Sequence, residues 1–98
     1  MKYYSFSWDE KKDGKNIKKH KVSFVEAKTV FFDDRALDFF DIDHSKDEDR
    51  FLLLGLSNKV RILVVSYCLK KEQAVIRIIS ARKATKKETE YYHSGGKL

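Results

Sequence analysis

The alternation of apolar and polar stretches predicts where the strands of this chain lie. Dense apolar runs at 50–57, 60–69 and 74–80 are rich in Val, Ile and Leu, a composition typical of β-strands. Shorter runs at 2–8 and 36–43 predict two further strands. Because only short polar stretches separate the three dense runs, these strands are expected to form an antiparallel meander.

Capping boxes, in which a Ser or Thr precedes a Glu by three positions, predict where the helices begin. The boxes pair Ser7 with Glu10, Ser23 with Glu26, and Thr85 with Glu88. They predict helices over 9–20, over 24–32, and from 85 to about 92. The order β-α-α-β-β-β-β-α indicates an α+β fold, a small antiparallel sheet packed by two N-terminal helices and a C-terminal helix. The runs 60–69 and 74–80 are apolar on both sides, so helices must cover at least one face of the sheet.

The two turns of the meander predict which arginines share a face. Turns centred between Asn58 and Lys59 and between Lys71 and Glu72 pair Arg61 with Arg82 and Arg50 with Tyr67. Ser80 and these four residues then lie on one face of the sheet, whereas Arg77 points to the other. A shift of one residue in either turn would change this grouping, because side chains alternate between the two faces of a strand.

Size and composition indicate one folded domain. The chain has 98 residues, of which 42% are hydrophobic, so it can bury a core and is not disordered. Residues 1–98 are expected to form a single domain, with 93–98 as a flexible tail. No apolar run approaches the roughly 20 residues of a membrane span, and the N-terminal segment lacks the apolar core of a signal peptide. Cys68 is the only cysteine, which excludes an intrachain disulfide and suits the cytoplasm; no membrane partner is expected.

The charge of the chain is positive and segregated. The formal net charge is +6, with seven lysines in residues 1–21 and eight acids in residues 33–49. Basic ends around an acidic middle favour a polyanionic partner such as RNA or DNA. The same charges are also compatible with an ordinary solvated basic surface.

The reactive side chains favour acid–base chemistry. The three histidines are far apart and lack the spacing of metal ligands, and there is no Gly-rich phosphate loop, so neither a metal nor another cofactor is predicted. Arginines on a sheet can stabilise charge on a phosphate, and His44 or Glu48 can move protons. Such a site suits RNA cleavage, because the 2′-OH of RNA serves as the nucleophile.

Each of these residues also has a purely structural interpretation. Arg77 can pair with an acid such as Glu48 or Asp41, and Arg82 can cap the end of a strand or lie in solvent before the helix. His44 can be a turn residue, and Trp8 can pack against the first helix instead of stacking on a base.

Four sequence blocks, in order along the chain, resemble the BrnT family of toxins. They are WDE, KHKVSF, HSKDEDRF and RIISARKAT, within a similarity that runs from about Phe6 to Tyr92. Lys21 departs from the family pattern, which usually has Gly there, so it requires a different turn or a positive φ. The resemblance implies a RelE-like fold and a metal-independent ribonuclease that inhibits translation. It also implies a cognate BrnA-like antitoxin, which is expected to form a 2:2 complex with the toxin. Operator DNA is expected to be bound only through the antitoxin.

The resemblance also implies the site residues. The catalytic candidates are His44, Glu48, Arg61, Arg77 and Arg82, and the RNA-binding candidates are Trp8, Lys12, Lys83 and Lys86. Among these, Arg61 and Arg82 are expected to be the cations that bind phosphate and the transition state, with His44 or Glu48 as base or acid. The alternative is a non-catalytic basic module that binds nucleic acid or an acidic protein partner.

Overall fold

A computed structural model describes residues 4–98 and shows a mixed α+β fold in which one five-stranded sheet is flanked by three α-helices. The strands are β1 (Ser5–Ser7), β2 (Leu37–Phe40), β3 (Arg50–Leu56), β4 (Ile62–Lys70) and β5 (Val75–Lys83). The helices are α1 (Glu10–His20), α2 (Phe24–Thr29) and α3 (Lys86–His93). Short 3₁₀ turns lie at Val30–Phe32, Ile42–His44 and Lys71–Gln73. Residues 2 and 3 of the first predicted strand lie outside the described residues.

The sheet has the order β1-β5-β4-β3-β2. Strands β3 to β5 form the predicted antiparallel meander, and β2 extends it by pairing antiparallel with β3. Strand β1 joins this meander in parallel beside β5, with Phe6 opposite Ile76. A parallel neighbour needs a long crossover connection, and here two helices and strands β2 to β4 separate β1 from β5.

Helices cover the two faces of the sheet unequally. We call the face that packs against α2 the helix-pair face, because α1 is attached to α2 through the Asp13 carboxylate, which accepts the N–H of Phe24. Its fully buried side chains include Leu63, Val65, Ile76 and Ile78, together with Phe24 of α2. We call the opposite face the α3 face. A smaller cluster of Leu54, Val64 and Tyr92 attaches α3 there. None of the helices among residues 4–98 is long and apolar enough to cross a membrane.

The predicted cap of the first helix is wrong, whereas the other two are correct. Helix α1 begins after Asp9, whose carboxylate accepts hydrogen bonds from the backbone N–H groups of Lys11 and Lys12. Ser7 cannot take this position because it is still a strand residue, opposite Arg77. Ser23 caps α2 and Thr85 caps α3, and only Thr85 forms the complete reciprocal box with its glutamate.

Residues other than glycine occupy the left-handed backbone region in three connections. They are Lys21 (φ 60°), Val60 (φ 61°) and Ala74 (φ 52°). Of the two alternatives expected for Lys21, a different turn or a positive φ, the chain takes the positive φ, and the Lys21 N–H donates to the carbonyl of Ile17 to end α1. Val60 and Ala74 lengthen the two meander turns beyond the predicted ones, since each adds an αL residue at the end of the loop.

The longer turns change the predicted strand register. Arg50 lies opposite Cys68, not Tyr67, and Arg82 lies opposite Val64, not Arg61. The predicted common face for Arg61 and Arg82 is therefore wrong. Arg61 and Tyr67 belong to the helix-pair face, whereas Arg50, Ser80 and Arg82 belong to the α3 face.

Candidate active site

The α3 face is only partly covered by its helix. Helix α3 packs around Leu54 and Val64, towards one end of the strands. Towards the other end, five residues of β3, β4 and β5 form a surface that we call the open half-face: Arg50, Ser66, Cys68, Arg77 and Ser80. Four of these five side chains are polar, in contrast to the apolar residues beneath α3, and Leu52 lies opposite Ser66 at the boundary between the two halves.

A β-bulge brings Arg77 onto this surface. The ladder between β4 and β5 shifts between Ser66 and Tyr67, so that Ile79 is the extra residue on β5. A bulge inserts one residue into one strand and reverses the alternation beyond it. Arg77 and Arg82 therefore share the α3 face, and the predicted separation of the two is wrong. They are on the order of 15 Å apart along the strand at about 3.3 Å per residue.

Arg50, Cys68 and Arg77 form one row across three neighbouring strands. Cys68 is the direct cross-strand partner of both arginines. Directly opposed Cα atoms are about 5 Å apart, so the two arginine Cα atoms are about 10 Å apart. Among residues 4–98, no carboxylate lies within 4.0 Å of the Arg77 guanidinium, so Arg77 forms no structural ion pair with Glu48 or Asp41.

Burial keeps the thiol between these arginines protonated. Cys68 is 2% exposed. Its burial, together with the negative charge and hydrogen bonding of Glu48, raises the pKa of the Cys68 thiol, and the charge of Arg77 opposes this only in part. Cys68 is therefore a packing residue of the site and not a thiolate nucleophile.

His44 and Glu48 lie at the edge of the open half-face. A pocket of about 240 Å³ is lined by His44, Lys46, Asp47, Glu48 and Arg50. The Glu48 carboxylate lies 3.8 Å from the guanidinium of Arg50. Nδ1 of His44 lies 3.0 and 3.1 Å from the two carboxylate oxygens of Asp41, and the imidazole is 67% exposed. This pair orients the ring so that Nε2 is available to a substrate.

Arg61 has a structural environment on the opposite face. It donates from Nε and from a terminal nitrogen to the carboxylate of Glu26, and it also donates to the carbonyl of Lys21. Glu26 is 2% exposed and accepts a further hydrogen bond from Ser57. Burial acts to raise the pKa of Glu26, but the hydrogen bonds from Arg61 and Ser57 lower it below its usual value. Arg61 thus neutralises a buried carboxylate that joins α2 to the β3–β4 turn.

Arg82 is engaged by the helix that follows it. Its two terminal nitrogens donate to the two carboxylate oxygens of Glu88 at 2.8 and 2.9 Å. The hydrogen bond from Arg82 is the main reason why the pKa of Glu88 falls to about 2. Glu88 also accepts the N–H of Thr85 in the capping box, so this ion pair ties the end of β5 to the first turn of α3.

The predicted RNA-binding residues are spread over several surfaces. The Trp8 ring packs edge-to-face on Phe24 with ring centres 6.2 Å apart, and its Nε1 donates to Glu10. Lys12 is exposed on α1, outside the open half-face. Lys83 and Lys86 are exposed at the end of β5 and the start of α3, beside Arg82.

Two site residues were absent from the sequence-based set. Arg50 lies in one row with Arg77 because of the register of β3, β4 and β5, which the sequence did not predict. Asp41 precedes His44 by three positions, a spacing at which a one-turn helix brings two side chains together, but the sequence predicted a strand there. Among the described residues, no three His, Cys, Asp or Glu side chains are placed to share a metal ion.

The fold and the site define a class, that of small basic α+β proteins with arginines and acid–base side chains on a half-covered sheet face. The chain matches the family described as "Ribonuclease toxin, BrnT, of type II toxin-antitoxin system" over residues 8–88. It therefore belongs to the BrnT family of ribonuclease toxins of type II toxin–antitoxin systems. Membership implies a ribonuclease activity and a protein antitoxin as partner.

A solved structure supports the same fold. The crystal structure of the Brucella abortus ribonuclease toxin, BrnT, is similar to this chain with a TM-score of 0.65 and 24% sequence identity. The match covers 86% of this chain and 100% of the Brucella chain. A search of curated proteins finds none that matches this sequence.

Proposed function

We propose that this chain is a metal-independent endoribonuclease of the RelE-like type, in which the open half-face binds the RNA phosphate. The observation that carries the proposal is the position of Arg77, in one row with Arg50 and with no carboxylate within 4.0 Å of its guanidinium among the described residues. A guanidinium without a structural acid is available to a phosphate, to which it can donate two parallel hydrogen bonds.

The proposed reaction needs no external nucleophile. The 2′-oxygen of RNA attacks the adjacent phosphorus while the carboxylate of Glu48 accepts the 2′-OH proton. The bond from phosphorus to the 5′-oxygen breaks, and the imidazolium of His44 protonates that oxygen. The products are a 2′,3′-cyclic phosphate and a 5′-hydroxyl. Arg77 and Arg50 stabilise the negative charge that develops on the phosphate oxygens, and the Asp41 carboxylate orients the imidazole of His44.

We assign different roles to Arg82 and Arg61, the two other arginines predicted as catalytic. Arg82 lies on the same face as Arg77, and we assign it to a phosphate further along the RNA, with Lys83 and Lys86 nearby. For this contact, the RNA phosphate must compete with the Glu88 carboxylate for the guanidinium of Arg82. We assign Arg61 a positioning role, because its partners are Glu26 and the Lys21 carbonyl on the other side of the sheet. Trp8 and Lys12 stay candidates for outer RNA contacts.

The biological setting follows the family. We propose that RNA cleavage inhibits translation in the cytoplasm, and that a BrnA-like antitoxin neutralises the toxin in a 2:2 complex. The antitoxin would supply all contacts to operator DNA. We propose residues 1–98 as one toxin domain in which the segment after α3 is flexible.

The test is cleavage of purified RNA by the isolated chain in EDTA, followed by analysis of the 3′ ends. We expect 2′,3′-cyclic phosphate ends from the wild type and a loss of at least about a hundredfold in rate for His44→Gln and Arg77→Gln, the usual scale for removing a catalytic acid or an oxyanion donor. His93→Gln and Arg35→Gln are the matched controls, since both side chains are exposed and outside the site. Intact RNA both with and without added ribosomes would support the alternative of a non-catalytic binding module.

A further inference from the structure

Strand β2 forms an outer edge of the sheet and exposes several apolar side chains. Within residues 4–98, its only sheet neighbour is β3. Phe39 is 37% exposed, Phe40 52%, and Ile42, just beyond the strand, 78%. Edge strands with exposed apolar side chains are ready to pair with another chain, and native proteins usually shield them with charges, bulges or a covering element.

The backbone of β2 offers hydrogen-bonding groups at this edge. The N–H of Asp41 donates to the carbonyl of Arg50 at 2.8 Å, which identifies Asp41 as a residue directed towards β3. In an antiparallel ladder, inward and outward residues alternate. The N–H and C=O groups of Phe39 therefore face β3 as well, whereas those of Asp38 and Phe40 face outward, where a further strand could bind.

Apolar sites on both faces flank this edge. On the helix-pair face, Phe40 packs edge-to-face against Phe51. On the α3 face, the Phe39 ring lies 6.0 Å from the Tyr91 ring in a tilted arrangement and lines a mostly apolar pocket of about 330 Å³. A strand added to β2 would alternate its side chains between these two sites, so one backbone could use both.

The negative charge near β2 indicates which class of partner can bind at this edge. Residues 38–49 carry six acids and one lysine. Arg50 and Arg77 offset this charge on the open half-face, but neither lies on β2, where the charge disfavours RNA, which is a polyanion. It also disfavours a second copy of the chain, because two β2 strands side by side would oppose two acidic segments. A basic peptide with alternating apolar residues has the complementary charge and pattern.

We propose that β2 is the docking edge for an extended, basic segment of the protein antitoxin, which adds a sixth strand to the sheet. This proposal depends on the antitoxin partner that family membership implies, and it does not depend on RNA cleavage. Apolar side chains of the segment would contact Phe40 and the pocket beside Phe39, and its lysines or arginines would face the acidic segment 38–49.

The test is amide hydrogen exchange of the chain alone and in its complex with the purified cognate antitoxin. We expect the amides of Asp38 and Phe40 to become protected in the complex. The variant Phe40→Pro removes an outward N–H without removing a hydrogen bond to β3, and should weaken the complex roughly tenfold or more, as expected for one lost hydrogen bond and its packing. Phe40→Ala keeps the N–H and provides a second variant in case the proline disturbs folding.

A charge reversal provides an independent measurement. Asp43→Lys should weaken the antitoxin complex and reduce its dependence on salt. Glu10→Lys, an equal charge change on α1 at the other side of the sheet, should leave the affinity close to that of the wild type. Unchanged exchange at Asp38 and Phe40, or wild-type affinity for Phe40→Pro and Asp43→Lys, would overturn the proposal. A failure of RNA cleavage would affect the proposed function alone, since these measurements follow only association.

Discussion

The substitution Arg61→Ala separates a structural role of this arginine from a catalytic one. Glu26 is 2% exposed and accepts two hydrogen bonds from Arg61 and one from Ser57. The variant would leave a buried carboxylate with Ser57 as its remaining side-chain partner. Removing one member of a buried ion pair costs about 3–5 kcal/mol. Since the side chain of Arg61 is itself 27% exposed, water can enter its place, and we expect a loss of about 2–4 kcal/mol.

The assay is urea unfolding of the wild type and the variant at pH 7, with thermal unfolding beside it. For a domain of this size, the expected loss lowers the Tm by roughly 10–20 °C. Arg77→Ala is the matched control, and we expect a change below about 1 kcal/mol, because no described carboxylate pairs with Arg77.

The pH dependence provides a second check. The pKa of Glu26 is lowered in the folded protein, so its contribution to stability is complete above the unfolded pKa and decreases as the pH falls through the folded one. The difference between wild type and Arg61→Ala should therefore become smaller below about pH 4. If the Arg61→Ala protein unfolded like the wild type but did not cleave RNA, this reasoning would be refuted. Arg61 would then have a catalytic role and not a structural one.

Three further variants test other parts of the structure by urea unfolding. Asn16→Ala should destabilise the fold by about 2–4 kcal/mol, because the buried amide of Asn16 pairs with both backbone groups of Ala81; a loss below about 1 kcal/mol would show that water replaces it. Val60→Gly should raise stability by up to about 1 kcal/mol, since it relieves a β-branched residue at φ 61°, and a clear loss would contradict that strain. Glu88→Gln should cost on the order of 1 kcal/mol at pH 7 and progressively less below about pH 4.5, because the native pKa of Glu88 is about 2; an unchanged cost at pH 3 would contradict its pairing with Arg82.

The sequence alone determined the three central strands and two of the three helix caps, because their signals are local. The Val, Ile and Leu density of β3, β4 and β5 reflects side-chain packing on a pleated sheet, and these strands formed where predicted. The caps at Ser23 and Thr85 depend on groups within three residues, so they were readable from the chain. Four blocks in family order also identified the family, which was then found over residues 8–88.

Only the tertiary structure decided how the arginines are distributed. The register depended on Val60 and Ala74, which take the left-handed conformation although neither residue type signals it, and on a bulge at Ile79 that no local pattern marks. Ser7 likewise belongs to a strand because β1 pairs in parallel with β5, and Asp9 therefore caps α1. The pair of Arg61 and Glu26 joins residues 35 positions apart, so their contact arises only when the sheet and α2 pack together. The alternation of side chains along one strand is a local property. Which of those side chains face the helices depends on the length of every turn and on every bulge between neighbouring strands.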